Sequence, residues 1–285
     1  MRQENTPLAI FYSLSAAFCY ALLAYLIKLT EQHLPNPVLI FFRQAFSFCL
    51  LMPLIPLKIG SFKNLKTACF QLHLLRTFAS LSAMFCMYFA LRFLPLVDAV
   101  LLTYTRPLFI PIVVYFWFRK KWTRNTWWGL IVGFLGVLVI LRPDERIFNI
   151  ASLVGLAAGM FGSIAFTTIR RLTKTEPSER ILFYYLAISL PLSSVPLATG
   201  WSTPSLYEWG LLAIIGGAAT IYQMFLTRAY RYAKAFKVGS LLYSSVVFAW
   251  IFDIVMGDSS LEIVQIVGIV LIALGSYIAL REQKT

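Results

Sequence analysis

Three arginines stand within long apolar stretches of the sequence: Arg43, Arg76 and Arg106. A charged side chain at that depth in a bilayer is costly, and it commonly faces a wet cavity, a partner or a substrate. At ~1.5 Å rise per residue, Arg106 lies roughly 14 Å into its stretch, whereas Arg43 and Arg76 lie roughly 10 Å from an end. We predict a positive cavity that binds a carboxylate or phosphate through Arg106, with Arg43 and Arg76 at its entrances. For these two, an anchor that reaches the membrane interface is the alternative.

Helical spacing restricts which residues accompany Arg106. Thr103 shares its face of a helix, whereas Tyr104 points away, so we expect Tyr104 and Arg106 not to contact the same ligand. The alternative role for Arg106 is structural: its side chain would contact backbone carbonyls that Pro107 and Pro111 leave without a donor.

Further polar and aromatic residues complete the predicted substrate site. Those residues are Gln223, Tyr243, Ser244, Ser245 and Trp250. For each of them, packing or a hydrogen bond between helices is the competing explanation. Asp253, near the end of its apolar stretch, is either a solvated carboxylate or a proton-coupling site.

Groups suited to enzyme chemistry are scarce. The two histidines, His33 and His73, belong to no metal-binding motif, and the four cysteines have no CxxC spacing. No paired nucleophile and base, and no paired carboxylates, stand together within the apolar stretches. We therefore expect no enzymatic activity, no cofactor and no metal site. A membrane-embedded enzyme or lipid-handling protein without transport is the alternative, and it would need a catalytic pair facing one cavity.

The elements that carry these residues are apolar runs long enough to cross a membrane. Of the 285 residues, 59% are hydrophobic and 13% are charged, against about 25% charged in soluble domains. A membrane helix needs ~20 apolar residues. The pattern predicts an all-α membrane protein with ten transmembrane helices, at residues 8–29, 37–57, 69–91, 96–118, 126–141, 150–170, 180–199, 207–228, 236–256 and 262–280.

The distribution of basic residues predicts the orientation. With the N-terminus inside, the inner segments hold 18 Lys and Arg and the outer segments hold 4, which is a strong positive-inside bias. We therefore expect a multi-pass protein of the cell inner membrane with both termini in the cytoplasm. The same bias explains the net charge of +13, so we expect no nucleic-acid partner.

The chain repeats itself. Residues 90–141 align without a gap on residues 229–280, a shift of 139, with ten of 52 positions identical. The matches include Arg92/Arg231, Tyr104/Tyr243, Gly129/Gly268 and Gly136/Gly275. We predict two five-helix repeats, residues 1–145 and 146–285. Because five is odd, they enter the membrane in opposite directions, as in alternating-access transporters.

The glycines near the end of each repeat suit close helix packing. Packing within the chain is the simpler reading. A homodimer through the fifth and tenth helices is the second.

This arrangement resembles the EamA family of the drug/metabolite transporter superfamily. The resemblance is carried by Phe42–Arg43, Leu75–Arg76, Ala90–Ala99, Arg106–Leu108, Gly129, Gly133 and Gly136–Val137, and by Leu226–Tyr230, Ala235, Tyr243–Ser244, Phe248–Ala249, Gly268 and Gly275. The acidic turn that family members often have after the fourth and ninth helices is basic here at Phe118–Lys120, and Gly257–Asp258 stands in the second place.

The resemblance implies a transporter that moves a small polar metabolite across the inner membrane by alternating access. With the arginines, it favours an amino acid, a zwitterion or an organic anion as substrate. The Phe-Arg and Leu-Arg pairs also resemble the branch that contains S-adenosylmethionine carriers.

Overall fold

The computed structural model describes residues 5–31, 34–93, 101–119, 123–141, 150–255 and 263–281. The described chain is helical and contains no strand. Its α-helices are α1 Thr6–Glu31, α2 Asn36–Leu51, α3 Leu54–Ile59, α4 Phe70–Phe93, α5 Arg106–Phe118, α6 Arg124–Leu141, α7 Ile150–Leu172, α8 Ser178–Ser194, α9 Leu206–Tyr232, α10 Ala235–Leu242, α11 Ser244–Val255 and α12 Ile263–Leu280. The side chain of Asp253, residues 94–100, Gly257–Asp258 and both termini lie outside the description, although the sequence predictions used them.

Several of these helices can cross a membrane. Within the described residues, six segments are long and apolar enough to do so: Thr6–Ile27, Arg124–Leu141, Ile150–Leu172, Ser178–Ala198, Leu206–Tyr232 and Ala235–Phe252. Shorter apolar helices lie at Asn36–Leu51, Leu101–Trp117 and Ile266–Leu280. A helix satisfies its own backbone polar groups, which a bilayer requires. The prediction of an all-helical membrane protein is confirmed, while ten helices in two repeats stays a prediction.

Three of the predicted spans are interrupted. The second span breaks at Met52 and Pro53, between α2 and α3. In the fourth, a helical segment at residues 101–103 ends in a turn at Tyr104 and Thr105 before α5 begins. In the ninth, Tyr243 separates α10 from α11. Proline explains the first break, because it donates no backbone hydrogen bond.

The breaks in the fourth and ninth spans have the same local chemistry. The hydroxyl of Thr105 donates to the carbonyl oxygen of Leu102 at 2.5 Å. The hydroxyl of Ser244 donates to the carbonyl oxygen of Leu241 at 2.6 Å. Thr105 and Ser244 are 139 residues apart, as are Leu102 and Leu241. Each hydroxyl therefore adds a hydrogen bond to a backbone carbonyl at the break, beside the backbone N–H that the carbonyl also accepts.

Helices α6 and α12 pack closely through their glycines. A Cβ on Gly129 would lie 2.8 Å from the carbonyl oxygen of Gly275, and a Cβ on Gly136 would lie 2.6 Å from that of Gly268. Since the earlier glycine of α6 meets the later glycine of α12, the two helices run antiparallel. The glycine faces are thus used within the chain. A homodimer through other faces of these helices stays a prediction.

The remaining helices enclose the interrupted spans. Helix α4 packs along α7, and α1 packs along α9 and also contacts α11. Helix α2 lies against α8 and α9. Every residue of α10 is buried. The two breaks therefore lie inside the bundle, where they can face a common space.

Polar contacts close one end of the bundle. The Glu176 carboxylate accepts hydrogen bonds from Arg180 Nη1 at 2.6 Å and Thr67 Oγ1 at 2.7 Å. The Glu176 carbonyl accepts from Arg231 Nη2 at 3.0 Å. These contacts join the segment before α4 to the α7–α8 connection and the end of α9.

Candidate functional site

A small cavity lies where the two interrupted spans meet. It is lined from α1, the 101–105 segment, α5, α7, α9 and the α10–α11 break. The lining residues are Tyr20, Thr103, Tyr104, Arg106, Pro107, Phe166, Tyr222, Leu242, Tyr243 and Ser245. Half of them are aromatic and one is charged. Apolar walls with few polar groups are typical of small-molecule sites.

Arg106 is the first residue of α5 and supplies the charge of the lining. Its guanidinium lies 5.8 Å from the centre of the Phe166 ring. Its Nε is buried and has no hydrogen-bond partner. A buried donor without a partner is costly, and a ligand acceptor in the cavity would remove that cost.

Glycines on α7 make room for this helix start. A Cβ on Gly162 would lie 2.6 Å from both Cδ and Nε of Arg106. A Cβ on Gly159 would overlap the Thr105 hydroxyl, and one on Gly155 would lie 2.5 Å from Cδ1 of Leu102. Gly155, Gly159 and Gly162 therefore allow the fourth span to pack closely against α7 at its break.

Tyr104 lines the same cavity as Arg106, so the prediction that Tyr104 points away from Arg106 is wrong. It assumed an unbroken helix, but the turn at Tyr104 and Thr105 changes the direction of the side chains. The Tyr104 hydroxyl lies 3.1 Å from Oγ of Ser245. Because Ser245 donates its proton to the carbonyl of Leu242 at 2.7 Å, Tyr104 is the donor in this pair. The bond joins the two interrupted spans across the cavity.

Three tyrosine hydroxyls lie near enough to the guanidinium of Arg106 to interact with its charge. They belong to Tyr104, Tyr222 and Tyr230. The rings of Tyr20 and Tyr222 are 5.2 Å apart at an angle of 44°. The cavity thus offers a cation and hydroxyls to a polar group, and aromatic faces to the rest of a ligand.

Arg76 lies outside this lining, in a neighbouring cluster between α2, α4, α8 and α9. Its side chain is 1% exposed, and its guanidinium lies 4.0 Å from the centre of the Tyr185 ring. Nη2 donates to Oε1 of Gln223 at 3.0 Å. Nε and Nη1 are buried without partners. Arg76 therefore does not reach the membrane interface, and the anchor reading is wrong for this residue.

Arg43 belongs to the same neighbourhood. Its Nε is buried without a partner, and its neighbour Gln44 donates to the hydroxyl of Tyr185 at 3.1 Å. The Tyr222 hydroxyl is within electrostatic range of Arg43, Arg76 and Arg106. Tyr222 lines the cavity, and the next residue, Gln223, bonds Arg76, so the cavity and the cluster adjoin.

The other predicted site residues are more dispersed. Tyr243 and Ser245 line the cavity, whereas Ser244 caps the helix break. Trp250 packs in the apolar cluster that contains Tyr243, with a buried and unpartnered Nε1. The side chain of Asp253 lies outside the described residues.

Sequence reasoning missed part of the lining. Tyr20, Phe166 and Tyr222 line the cavity but were not among the predicted site residues. Phe166 follows the glycine stripe of α7 by one turn, which is the one local signal for it.

A membrane-embedded helical bundle whose broken helices meet at a central cavity is typical of transporters for small molecules. The sequence model of the EamA-like transporter family matches residues 7–142 and again residues 149–281. This chain belongs to the EamA-like transporter family.

Named relatives and a solved structure agree with this placement. The pseudopaline exporter CntI of Pseudomonas aeruginosa is 29% identical over 85% of this chain and 87% of its own. The riboflavin transporter of Vibrio cholerae is 27% identical, covering 71% of this chain and 68% of its own. The S-adenosylmethionine uptake transporter of Rickettsia bellii is 27% identical, covering 73% and 70%. A crystal structure covers 97% of this chain and 99% of its own with a TM-score of 0.84 and 18% identity, which shows a shared fold.

Proposed function

We propose that this protein transports a small polar metabolite with a carboxylate or similar anionic group by alternating access, with the substrate held at Arg106. The relatives named for pseudopaline, riboflavin and S-adenosylmethionine show that such bundles serve chemically different metabolites. The names of these relatives therefore do not identify the substrate of this chain, whereas the residues of its own cavity indicate the chemical class.

The observation that carries the proposal is the unpartnered Nε of Arg106 at the helix break. The described acidic side chains all lie elsewhere: Glu176 binds Arg180, Glu179 binds Arg228 and Glu208 caps α9. A guanidinium beside a cavity, with no carboxylate of the described residues paired to it, suits an anionic group of a substrate.

Alternating access is supported by the equivalence of the two halves. Both interrupted spans break at a tyrosine, Tyr104 or Tyr243, and both breaks carry the same hydroxyl-to-carbonyl bond. Helices α6 and α12 cover residues 124–141 and 263–280, again 139 apart. We infer two inverted repeats, residues 1–145 and 146–285, that can exchange conformations around the cavity.

The orientation follows from the basic residues. The end closed by Glu176 is rich in Lys and Arg, which assigns it to the cytoplasm. We infer an inner-membrane protein with cytoplasmic termini.

The direct test replaces Arg106 in the full-length protein reconstituted in vesicles. A thermal-shift screen of anionic, zwitterionic and cationic metabolites first identifies a ligand. We expect Arg106→Ala to abolish uptake or efflux of that ligand while the protein stays folded. Full transport by Arg106→Ala would refute the assignment.

A further inference from the structure

Arg76 carries more hydrogen-bonding capacity than the protein uses. A guanidinium has five N–H donors. In the structure Nη2 bonds to Gln223, while Nε and Nη1 are buried without partners. The side chain is 1% exposed, so water at the membrane surface does not satisfy these donors.

No described carboxylate balances this charge. Glu176 and Glu179 form ion pairs with Arg180 and Arg228, and Glu208 caps the far end of α9. The other groups that contact Arg76 are the neutral amide of Gln223 and the ring of Tyr185. Burying a cation without a counter-ion is strongly unfavourable.

The cluster adjoins the cavity. Tyr222 lines the cavity, and its hydroxyl is within electrostatic range of Arg76, Arg43 and Arg106. Gln223, which bonds Arg76, directly follows Tyr222 in α9. Anions at Arg76 and at Arg106 would therefore lie in neighbouring parts of one site.

We propose that Arg76, with Arg43 beside it, is a second anion subsite, so that the transported molecule carries two acidic groups. This inference rests on the proposed function, because it takes Arg106 as the site of the first group. Gln223 and Tyr185 position the Arg76 guanidinium, and Tyr222 contacts the part of the substrate between its two anions.

The test compares two matched probe series on the purified full-length protein. Glutarate and adipate carry two carboxylates, and pentanoate and hexanoate, with the same numbers of carbon atoms, carry one. We expect the wild-type protein to bind the better dicarboxylate at least about tenfold more tightly than the monocarboxylate of equal length, as one more charge-assisted contact implies. Equal affinity for both series would contradict the second subsite.

Arg76→Gln removes the charge and keeps donors. We expect it to lower dicarboxylate affinity to the monocarboxylate level and to leave monocarboxylate affinity unchanged. Arg281→Gln, the same change at an exposed position, is the control and should change neither affinity. An equal loss for both series in Arg76→Gln would show a merely structural role and overturn the proposal.

A second variant does not depend on the folding of Arg76→Gln. Gln223→Glu places a carboxylate at the atom that already bonds Arg76. We expect this variant to fold, to gain thermal stability and to lose the preference for dicarboxylates. Retention of that preference would count against the subsite.

Two further outcomes separate the sources of failure. In the first, chloride raises the thermal stability of the wild type but not of Arg76→Gln, and dicarboxylates bind no more tightly than monocarboxylates. The group bound at Arg76 is then a small inorganic anion, and the inference is wrong. If Arg106→Gln leaves monocarboxylate binding intact, the proposed function fails instead.

Discussion

The hydroxyl of Tyr104 donates a hydrogen bond to Oγ of Ser245 at 3.1 Å, although 141 residues separate them. Tyr104 stands at the break of the fourth span, and Ser245 is in the first turn of α11 after the break of the ninth. By the shift of 139, Ser245 is the counterpart of Arg106. A bond between the fourth and ninth spans thus forms part of the cavity wall.

Variants that remove this bond should show energetic coupling between Tyr104 and Ser245. Tyr104→Phe and Ser245→Ala should each lower the free energy of unfolding by ~1 kcal/mol, the usual net value of such a bond. The double variant should lose less than the two losses added together. Unfolding of all four proteins in mixed micelles provides the measurement, and strictly additive losses would show that the bond is not formed.

Gly162→Ala should displace the Arg106 side chain. The new Cβ would lie 2.6 Å from Cδ and Nε of Arg106, so the guanidinium must move from its place over Phe166. We expect transport to fall about tenfold or more, because a 1 Å misplacement can cost that much. Gly210→Ala is the control, since a Cβ there meets nothing within 4 Å. Equal transport by both variants would mean that Arg106 tolerates the shift.

Tyr185 should contribute to stability through its ring more than through its hydroxyl. Tyr185→Phe loses the bond from Gln44 but keeps the ring under Arg76. Tyr185→Leu loses both, and the missing cation–π contact should cost a further ~1–2 kcal/mol at this desolvated site. Thermal unfolding of the two variants separates the effects. A larger loss of stability in Tyr185→Phe than in Tyr185→Leu would contradict the prediction.

Glu176→Gln should loosen the closed end of the bundle. It removes the ion pair with Arg180 and weakens the bond from Thr67, while Cys69 lies beside this network, with Sγ 3.9 Å from Oγ1 of Thr175. In a protein whose other three cysteines are replaced by alanine, labelling of Cys69 by a water-soluble maleimide should accelerate several-fold.

Glu208→Gln provides the matched control for that experiment. Glu208 caps α9 at its N-terminal end, whereas the closed end lies at the C-terminal end of α9. The control should therefore leave Cys69 labelling unchanged. A rate in Glu176→Gln equal to that of the wild type would show that the network does not govern closure.

The sequence predicts the helical, membrane-spanning character of the chain well, because the length of the apolar runs determines it. It predicts the break at Tyr104 less well, and not the one at Tyr243. Pro107 stands close after the turn at Tyr104 and Thr105 and signals that break. The break at Tyr243 contains neither proline nor glycine. The one signal for the second break is its alignment with the first.

The aromatic lining could not be predicted for a different physical reason. Tyr20, Phe166 and Tyr222 stand in apolar helices where aromatic residues are common packing residues. Whether such a ring faces a neighbour or a cavity depends on how the helices meet. The same limit applies to Arg76, whose depth was expected to allow an interface anchor but whose side chain turns towards Tyr185 and Gln223.

The contact between α6 and α12 has a symmetry of its own. Gly129 meets Gly275 and Gly136 meets Gly268, so each helix offers its partner two glycines seven residues apart, in reversed order. Symmetric dimers use self-complementary surfaces of this kind. The seam between α6 and α12 therefore has the local two-fold character of a dimer interface, although one chain supplies both of its sides.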